Sequence, residues 1–385
     1  MQHYDAIIVG TGGVGSAAAM HLAARGARVL GLDRFAGGHD RGSSHGQTRA
    51  IREAYFEHPS YVPLVQRAYE LWAALEAACG EPLYRQTGLL QVGPGDGHVI
   101  PGVLRSAQQH NLDVELLTAA EAHRRFPGFT VPYDSAAVFE TRAGYLHVER
   151  CVLAHLEQAT RHGAELRSDV TVGGWNVTDS GTVVGNGAVV VETDRGEFTA
   201  DRLVITAGAW AGDLLADLGI TLRVLRKPLH WFATEDTCYA VERGCPIFLY
   251  ERPGGVFYGF PDVGDGRGVK AAAHHGGVPI ANPLAVSPDV DEIEQTAVRQ
   301  FLAAYLPGVS DRAVDHAVCM YTMSPDEHFI VDRHPTYPQV VFAAGLSGHG
   351  FKFTSVLGEA IADLALVGTT ALPIEFLSAT RPGLR

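Results

Sequence analysis

The sequence predicts an α/β fold of two domains, a discontinuous Rossmann-like nucleotide domain and a second domain built on a mixed β-sheet. Three observations carry that expectation. A strand, glycine turn, helix and strand open the chain; a strand, glycine loop and helix close it; alternating runs of antiparallel type fill much of the middle. At 385 residues the chain is also too long for one simple core, so two domains are the natural division.

The opening unit is "DAIIVGTGGVGSAAAMHLAARGARVLGLDRF". Ala6–Val9 is rich in β-branched residues and suits a buried parallel strand. Gly10, Gly12 and Gly15 form G-x-G-x-x-G, and the Ala-rich stretch Ser16–Arg25 reads as a helix that Gly26 ends. Such glycines let the backbone turn tightly and approach a pyrophosphate lying on the free N–H groups of the helix start. Arg28–Leu32 is a second strand ending on Asp33, 18 residues after Gly15, where a carboxylate can accept hydrogen bonds from an adenosine ribose. The glycine pattern alone is weak. Within strand, helix, second strand and terminal acid it signals an adenine dinucleotide strongly.

The later elements follow in order. "GSSHGQTRAIREAY" (42–55) is polar and glycine-rich, and Val62–Cys79 reads as a helix. "TGLLQVGPGDG" looks like a strand and turn opening the second domain. Residues 181–210 read as a hairpin turning at Gly185-Asn186-Gly187, then a strand ending in Thr206, Ala207, Gly208 and Ala209 before Trp210. Those small residues leave room for a ligand beside the backbone. "LYERPGGVFYGFP" (249–261) and "GVKAAAH" (268–274) alternate like antiparallel strands. In "SPDVDEIEQTAVRQFLAAYLPG" Ser287 is the expected N-cap, Pro288 the first helical residue and Pro307-Gly308 the stop. "VVFAAGLSGHGFKFTSVLGEAIADLAL" returns to strand, glycine loop and helix. A nucleotide domain assembled from both ends and the middle is typical of flavoproteins, whereas most NAD domains are contiguous. FAD is therefore favoured over NAD. The expected boundaries are 1–84, 151–214 and 320–385 for the FAD-binding domain, and 85–150 with 215–319 for the substrate domain.

Composition narrows the classes further. With 46% apolar and 19% charged residues and no low-complexity tract, the chain reads as a soluble globular protein. A net charge of −13 argues against nucleic-acid binding, which needs a basic surface to neutralise phosphates. The five cysteines are odd in number and hold no C-x-x-C pair, so no disulfide framework or zinc site is expected and no metal is called for. With no leader and no long apolar span, a cytoplasmic protein without membrane contact is expected.

The blocks "YDAIIVGTGGVGSAAA", "GSSHGQTRAIREAY" with "YVPL", "FYGFP", "AVCMYTMSPDEHFIVD" and "GLSGHGFKF" resemble, in order and spacing, the monomeric sarcosine oxidase and N-methyltryptophan oxidase family of amine-oxidising flavoproteins. The resemblance runs along most of the chain. It implies a two-domain FAD-dependent oxidoreductase that acts as a monomer. The substrate would be a secondary amino acid, oxidised by O₂ to an imine and hydrogen peroxide.

The resemblance also assigns residues. Cys319 matches the cysteine joined through sulfur to the 8α carbon of FAD, although packing alone would also explain a buried thiol. Tyr321, two residues along the same strand, shares its face. Lys270 matches the lysine that activates O₂; a lysine in an apolar strand otherwise needs a reason to be there. His274 either lines the site or simply packs. Arg52 and Lys352 match the pair that holds the substrate carboxylate, and Tyr258 and Tyr321 match aromatics around the amine. Arg49 and His45 match residues beside the flavin ring. The expected cofactor contacts are Gly10, Gly12, Gly13, Val14, Gly15, Asp33, Arg34, Ser44, His45, Arg49, Val172, Ala207, Gly208, Trp210, Cys319, Met320, Gly348, Gly350 and Lys352.

The chain departs from the family pattern at Ser44 and Gln47, and again in "REAYFEH", where Glu53, Phe56 and His58 make the loop bulkier and differently charged. One extra residue falls in "DVGDGRG", a loop difference expected to be inert. The choice among sarcosine, larger N-methyl amino acids, pipecolate and proline stays open. Alternative readings are an FAD-dependent dehydrogenase of the same fold with another acceptor, an NAD-dependent dehydrogenase, and a non-catalytic flavin-binding protein.

Overall fold

The computed structural model describes residues 2–178 and 187–384. Among these, eight strands form one sheet with a parallel centre: Val340–Ala344, Gly196–Ile205, His3–Val9, Val29–Leu32 and Glu165–Arg167 lie side by side. Parallel strands covered on both faces must be apolar throughout, and Ile7, Ile8, Leu30, Leu203, Val204 and Val341 are fully buried. Val172–Val177 pairs antiparallel with Val189–Thr193, which pairs with the first half of Gly196–Ile205; Ile330–Arg333 pairs antiparallel with Val340–Ala344. The helices Gly13–Ala24 and Thr354–Leu366 pack closely. A Cβ at Gly358 would lie 2.5 Å from Ala17 Cβ, so the small residues of both helices bring the two ends of the chain together.

The second sheet has nine strands. Arg223–Thr234, Val269–Ala273, Gly255–Phe260, Ile247–Arg252, Leu89–Pro94, Ser135–Glu140 and Glu115–Leu117 follow one another. Val278–Pro279 and the long Val309–Met323 both pair with Arg223–Thr234. Ile247–Arg252 and Leu89–Pro94 run parallel while their other neighbours run antiparallel, which makes the sheet mixed. A small third sheet joins Thr48–Ile51, Gly144–His147 and Tyr84–Gln86. The molecule is thus the expected α/β fold, with a Rossmann-like nucleotide region and a mixed β-sheet domain. The two sheets meet where Ser347 N donates to Thr322 O at 2.9 Å. That bond ties the end of Val309–Met323 to the closing glycine loop. Among the described residues no helix is long and apolar enough to cross a membrane.

One local expectation changes. The helix expected to start at Pro288 starts at Glu292, and its N-cap is Asp291, whose carboxylate accepts from Ile293 N and Glu294 N. Ser287 instead closes a local turn with Asp289, a common alternative for a short polar side chain. Of the turn expected at Gly185-Asn186-Gly187, the first two positions lie outside the described residues. The strands on either side, Val172–Val177 and Val189–Thr193, pair antiparallel with Val177 opposite Val189, and a further hairpin turns at Asp194-Arg195 between Val189–Thr193 and Gly196–Ile205.

Candidate active site

The opening glycine turn is shaped by close backbone approach. Gly10 has φ +90°, and a Cβ there would lie 2.6 Å from Thr206 O; one at Gly15 would lie 1.8 Å from Gly10 O. No other residue fits at Gly15, which lets the first helix sit down on the strand end. Asp33 binds this turn together: its carboxylate accepts from Thr11 N at 2.7 Å, Thr11 Oγ1 at 3.2 Å and Phe35 N at 3.0 Å. Ser44 Oγ accepts from Gly13 N at 3.2 Å. The helix N-cap, Gly12, brings no side-chain cap, so the helix start keeps N–H groups for an anion.

From this turn a cleft with about 1990 Å³ free of protein atoms runs to the mixed sheet. Gly10, Gly12, Gly13, Val14, Asp33, Arg34, Ser44, Val172, Ala207, Gly208 and Trp210 line one end. Arg49, Arg52, Tyr258, His274, Met320, Tyr321, Gly348, Gly350 and Lys352 line the other. Gly15, His45, Lys270 and Cys319 are not on the surface of the cleft but packed behind its walls.

Behind the wall, Arg49 Nη2 donates to Cys319 Sγ at 3.1 Å. Burial alone would push the thiol up; the Arg49 guanidinium and His45 outweigh it and bring it down to about 6. A pKa that low makes the sulfur a thiolate, the nucleophilic form, at neutral pH. Lys270 Nζ donates to Gly46 O at 2.6 Å, Thr48 O at 2.8 Å and Thr48 Oγ1 at 3.1 Å. Three acceptors match the three hydrogens of an ammonium, although burial and then Arg49 push its pKa well below the usual lysine value. The acceptors come from a turn with left-handed Gly46 (φ +88°) and Gln47 (φ +73°). The loop expected to be inert takes part here: Asp265 accepts from Gln47 Nε2 at 2.6 Å, and Gln47 Oε1 accepts from Trp231 Nε1 at 3.0 Å.

At the cleft's other end, Arg52 Nη2 donates to both oxygens of Glu57 at 2.7 Å. Burial raises the Glu57 carboxyl, but Arg52, His349 and Lys352 win and hold it at about 2. Lys352 Nζ donates to His349 O at 2.6 Å and to Tyr55 Oη at 3.3 Å. Burial and then Arg52 lower its pKa to about 7. His274 Nδ1 lies 3.4 Å from Tyr321 Oη, and burial takes the imidazole down to about 3, so it is neutral. A Cβ at Gly348 would lie 2.3 Å from the Tyr321 ring, so only glycine lets the ring lie there.

The sequence reading passed over Glu57 and Lys227. Glu57 had a signal, since a buried Arg52 demands a nearby acid. Lys227 also had one: an ammonium in the apolar strand Arg223–Thr234, directly opposite Cys319. Its Nζ donates to the carbonyls of His274, His275 and Gly276 at 3.0, 2.8 and 3.2 Å and lies 5.0 Å from the Tyr321 ring centre. It thus clamps the turn that carries His274 against Tyr321.

The cleft fits a flavin dinucleotide. Besides the glycine turn, Trp210 Nε1, Thr322 Oγ1 and Thr354 Oγ1 belong to cleft-lining residues, are buried and have no hydrogen-bond partner among the described residues. Buried polar atoms of that kind call for a bound group. A glycine turn and helix start at one end, with an enclosed cationic and aromatic chamber at the other, define a flavin-dependent oxidoreductase. Residues 5–364 match the family of FAD-dependent oxidoreductases known as DAO. The chain is 43% identical over 375 residues to the monomeric sarcosine oxidase of Streptomyces avermitilis, covering 96% of both chains. It is 38% identical over 380 residues to the N-methyl-L-tryptophan oxidase of Yersinia pestis, covering 98% of this chain and 99% of that one. The structure of NikD, an unusual amino acid oxidase essential for nikkomycin biosynthesis, superposes with a TM-score of 0.85 at 26% identity over 98% of each chain. The chain belongs to the FAD-dependent oxidoreductase family, close to the monomeric sarcosine oxidases. It is an FAD-dependent amine oxidase that acts on the CH–NH bond of an amino-acid substrate with O₂ as acceptor.

Replacing Lys227 by Met leaves three carbonyls without their donor and is expected to cost about 1–3 kcal/mol of stability, with a rise in KM as His274 and Tyr321 loosen. Urea unfolding beside steady-state peroxide release checks this, and an unchanged midpoint with unchanged KM would remove the clamp.

Proposed function

We propose that the substrate is a secondary amino acid, N-methylated or cyclic as in sarcosine or proline, and that FAD is attached through Cys319. The observation that carries the substrate reading is the buried Arg52 and Lys352 pair, set beside Tyr258, His274 and Tyr321 at the enclosed end of the cleft. An anion there is paired with a guanidinium and an ammonium. The aromatic side chains and the neutral His274 keep water from the amine and favour its uncharged form. FAD held by the glycine turn at residues 10–15 and the cleft would supply the acceptor for a hydride from the carbon next to nitrogen and the route of the electrons to O₂. Losing two electrons turns the substrate into an imine while O₂ becomes hydrogen peroxide; water splits the imine of an N-methyl substrate into an aldehyde and the primary amine, whereas a ring imine opens to a single product.

Each side chain then has one task. Arg52 and Lys352 orient the carboxylate, while Tyr258 and Tyr321 flank the amine. Arg49 and His45 set the ionisation of Cys319, and Lys270 contributes positive charge from behind the wall. Residues 1–84, 151–214 and 320–385 form the FAD-binding domain in this reading, and 85–150 with 215–319 the substrate domain.

The decisive experiment supplies purified protein with sarcosine, N-methyl amino acids, proline and pipecolate and measures peroxide. At least one should release peroxide in step with O₂ uptake; silence across the panel would sink the secondary-amine reading. The covalent link is tested separately. Acid-precipitated wild-type protein should stay yellow and Cys319→Ser should release its flavin, whereas flavin freed from both returns Cys319 to core packing.

Lys352 gives the anchor a pH dependence with a definite sign. It faces Arg52, Glu57, Arg49, His349 and Tyr55, and its proton is lost above about 7 in the free enzyme. A bound carboxylate favours the ammonium, so binding above that pH must take up a proton. The dissociation constant of a carboxylate ligand that lacks an amine should therefore rise with pH, by up to about tenfold per unit. Lys352→Met should flatten the profile, and a flat wild-type profile between roughly pH 6 and 9 would exclude Lys352 as the anchor.

A further inference from the structure

The turn that meets Lys270 is of a rare kind. Thr48 N donates to Gly46 O at 2.9 Å, across Gln47 at φ +73°. An i→i+2 bond around a left-handed residue makes a γ-turn of the strained form. Gln47 is not glycine, so the strain persists only because its surroundings impose it, and such strain gathers at functional sites. Each of its four polar atoms is held. Its N donates to Glu149 at 3.1 Å and its O accepts from Val148 N at 3.0 Å. Its Oε1 accepts from Trp231 Nε1 at 3.0 Å, and its Nε2 donates to Asp265 at 2.6 Å.

The outer anchor is itself fixed. Asp265 accepts from Arg267 Nε at 2.8 Å, and Arg267 reaches Asp315 at 3.2 Å while lying 4.8 Å from the Trp231 ring centre. On its inner side the turn presents carbonyls to two cations. Gly46 O and Thr48 O accept from Lys270, and Thr48 O accepts as well from Arg49 Nη1 at 3.0 Å. Arg49 lines the cleft, so Lys270 stands one shared carbonyl away from a residue of the cleft wall. A hydrogen-bonded chain thus runs from Asp265, on an exposed loop, through Gln47 to the positive charge at the enclosed end of the cleft.

We propose that Gln47, pinned by Asp265, is a positioning residue: it holds the turn that fixes Lys270 and Arg49, and through them it sets the rate at which O₂ is reduced. The proposal rests on the reading above in which Lys270 contributes positive charge. Electron transfer to O₂ builds negative charge on oxygen, and a cation held in place beforehand stabilises that charge without reorganising. Substrate oxidation builds no charge on oxygen. A displaced Lys270 therefore tells first in reoxidation.

The test follows two half-reactions by stopped flow: reoxidation by O₂ of dithionite-reduced enzyme, and anaerobic reduction by the substrate that releases most peroxide in the panel above. Gln47→Leu and Asp265→Ala should slow reoxidation by roughly tenfold more than they slow reduction. Asp265→Asn removes the same charge but keeps an acceptor for Gln47 Nε2, and should reoxidise as the wild type does. A second readout needs no turnover. Sulfite, an anion that the same positive charge attracts, should bind more weakly to Gln47→Leu and Asp265→Ala, read from the flavin spectrum, and unchanged to Asp265→Asn. Reoxidation and sulfite affinity that stay at wild-type values in Gln47→Leu, or two half-reactions that fall together, overturn the proposal. Lys270→Met separates the two readings. If it leaves reoxidation unchanged, the Lys270 reading fails and the role of Gln47 with it; if it slows reoxidation and Gln47→Leu does not, only the role of Gln47 fails. Should Gln47→Leu not fold, Asp265→Ala, altered on an exposed loop, decides in its place.

Discussion

Buried positive charge is the constraint on which the rest of this site depends. Arg49, Arg52, Lys227, Lys270 and Lys352 crowd one end of the cleft, each largely or wholly withdrawn from water. An ion moved out of water costs several kcal/mol unless something answers it. Arg52 is answered by Glu57 and Arg49 by the Cys319 sulfur, while the three lysines are answered by backbone carbonyls. Those answers dictate loop shape. The left-handed pair Gly46 and Gln47 accompanies the carbonyls that meet Lys270. The turn after His274 stands where three successive carbonyls can reach Lys227.

The same arrangement makes the chamber useful. Desolvated cations attract an anion far more strongly than solvated ones. His274 and His349 are both driven to the neutral form by burial, to about 3 and about 4. They add polarity without adding charge. Glu57, which takes Arg52 on both its oxygens, keeps the cluster from being purely repulsive. The cluster thus holds more cations than acids, a surplus of positive charge that a bound anion would offset.

Some of this was legible in the chain and some was not. The helix Val62–Cys79 matches its expected bounds residue for residue, because its apolar period and the following Gly80 are local signals. Ser287 misled, because Ser and Asp both cap helices and the choice between Ser287 and Asp291 depends on which turn the preceding loop makes. Lys270 stood out as a lysine in an apolar strand, but its partners Gly46 and Thr48 are more than two hundred residues away, beyond any periodic pattern. Lys227 carried the same signal and was missed. The Gln47–Asp265 bond joins two departures from the family pattern, and spacing alone does not connect them.

By itself the sequence determined the glycine turn, the acid at the end of the second strand and the return of the chain to a second glycine loop. These are properties of short stretches, set by steric freedom and by the spacing of strand and helix. Only the tertiary structure decided which cations share one chamber and which carbonyls and acids answer them. The reason is that hydrogen-bond and charge compensation are satisfied through space, between residues whose separation along the chain carries no periodic signal.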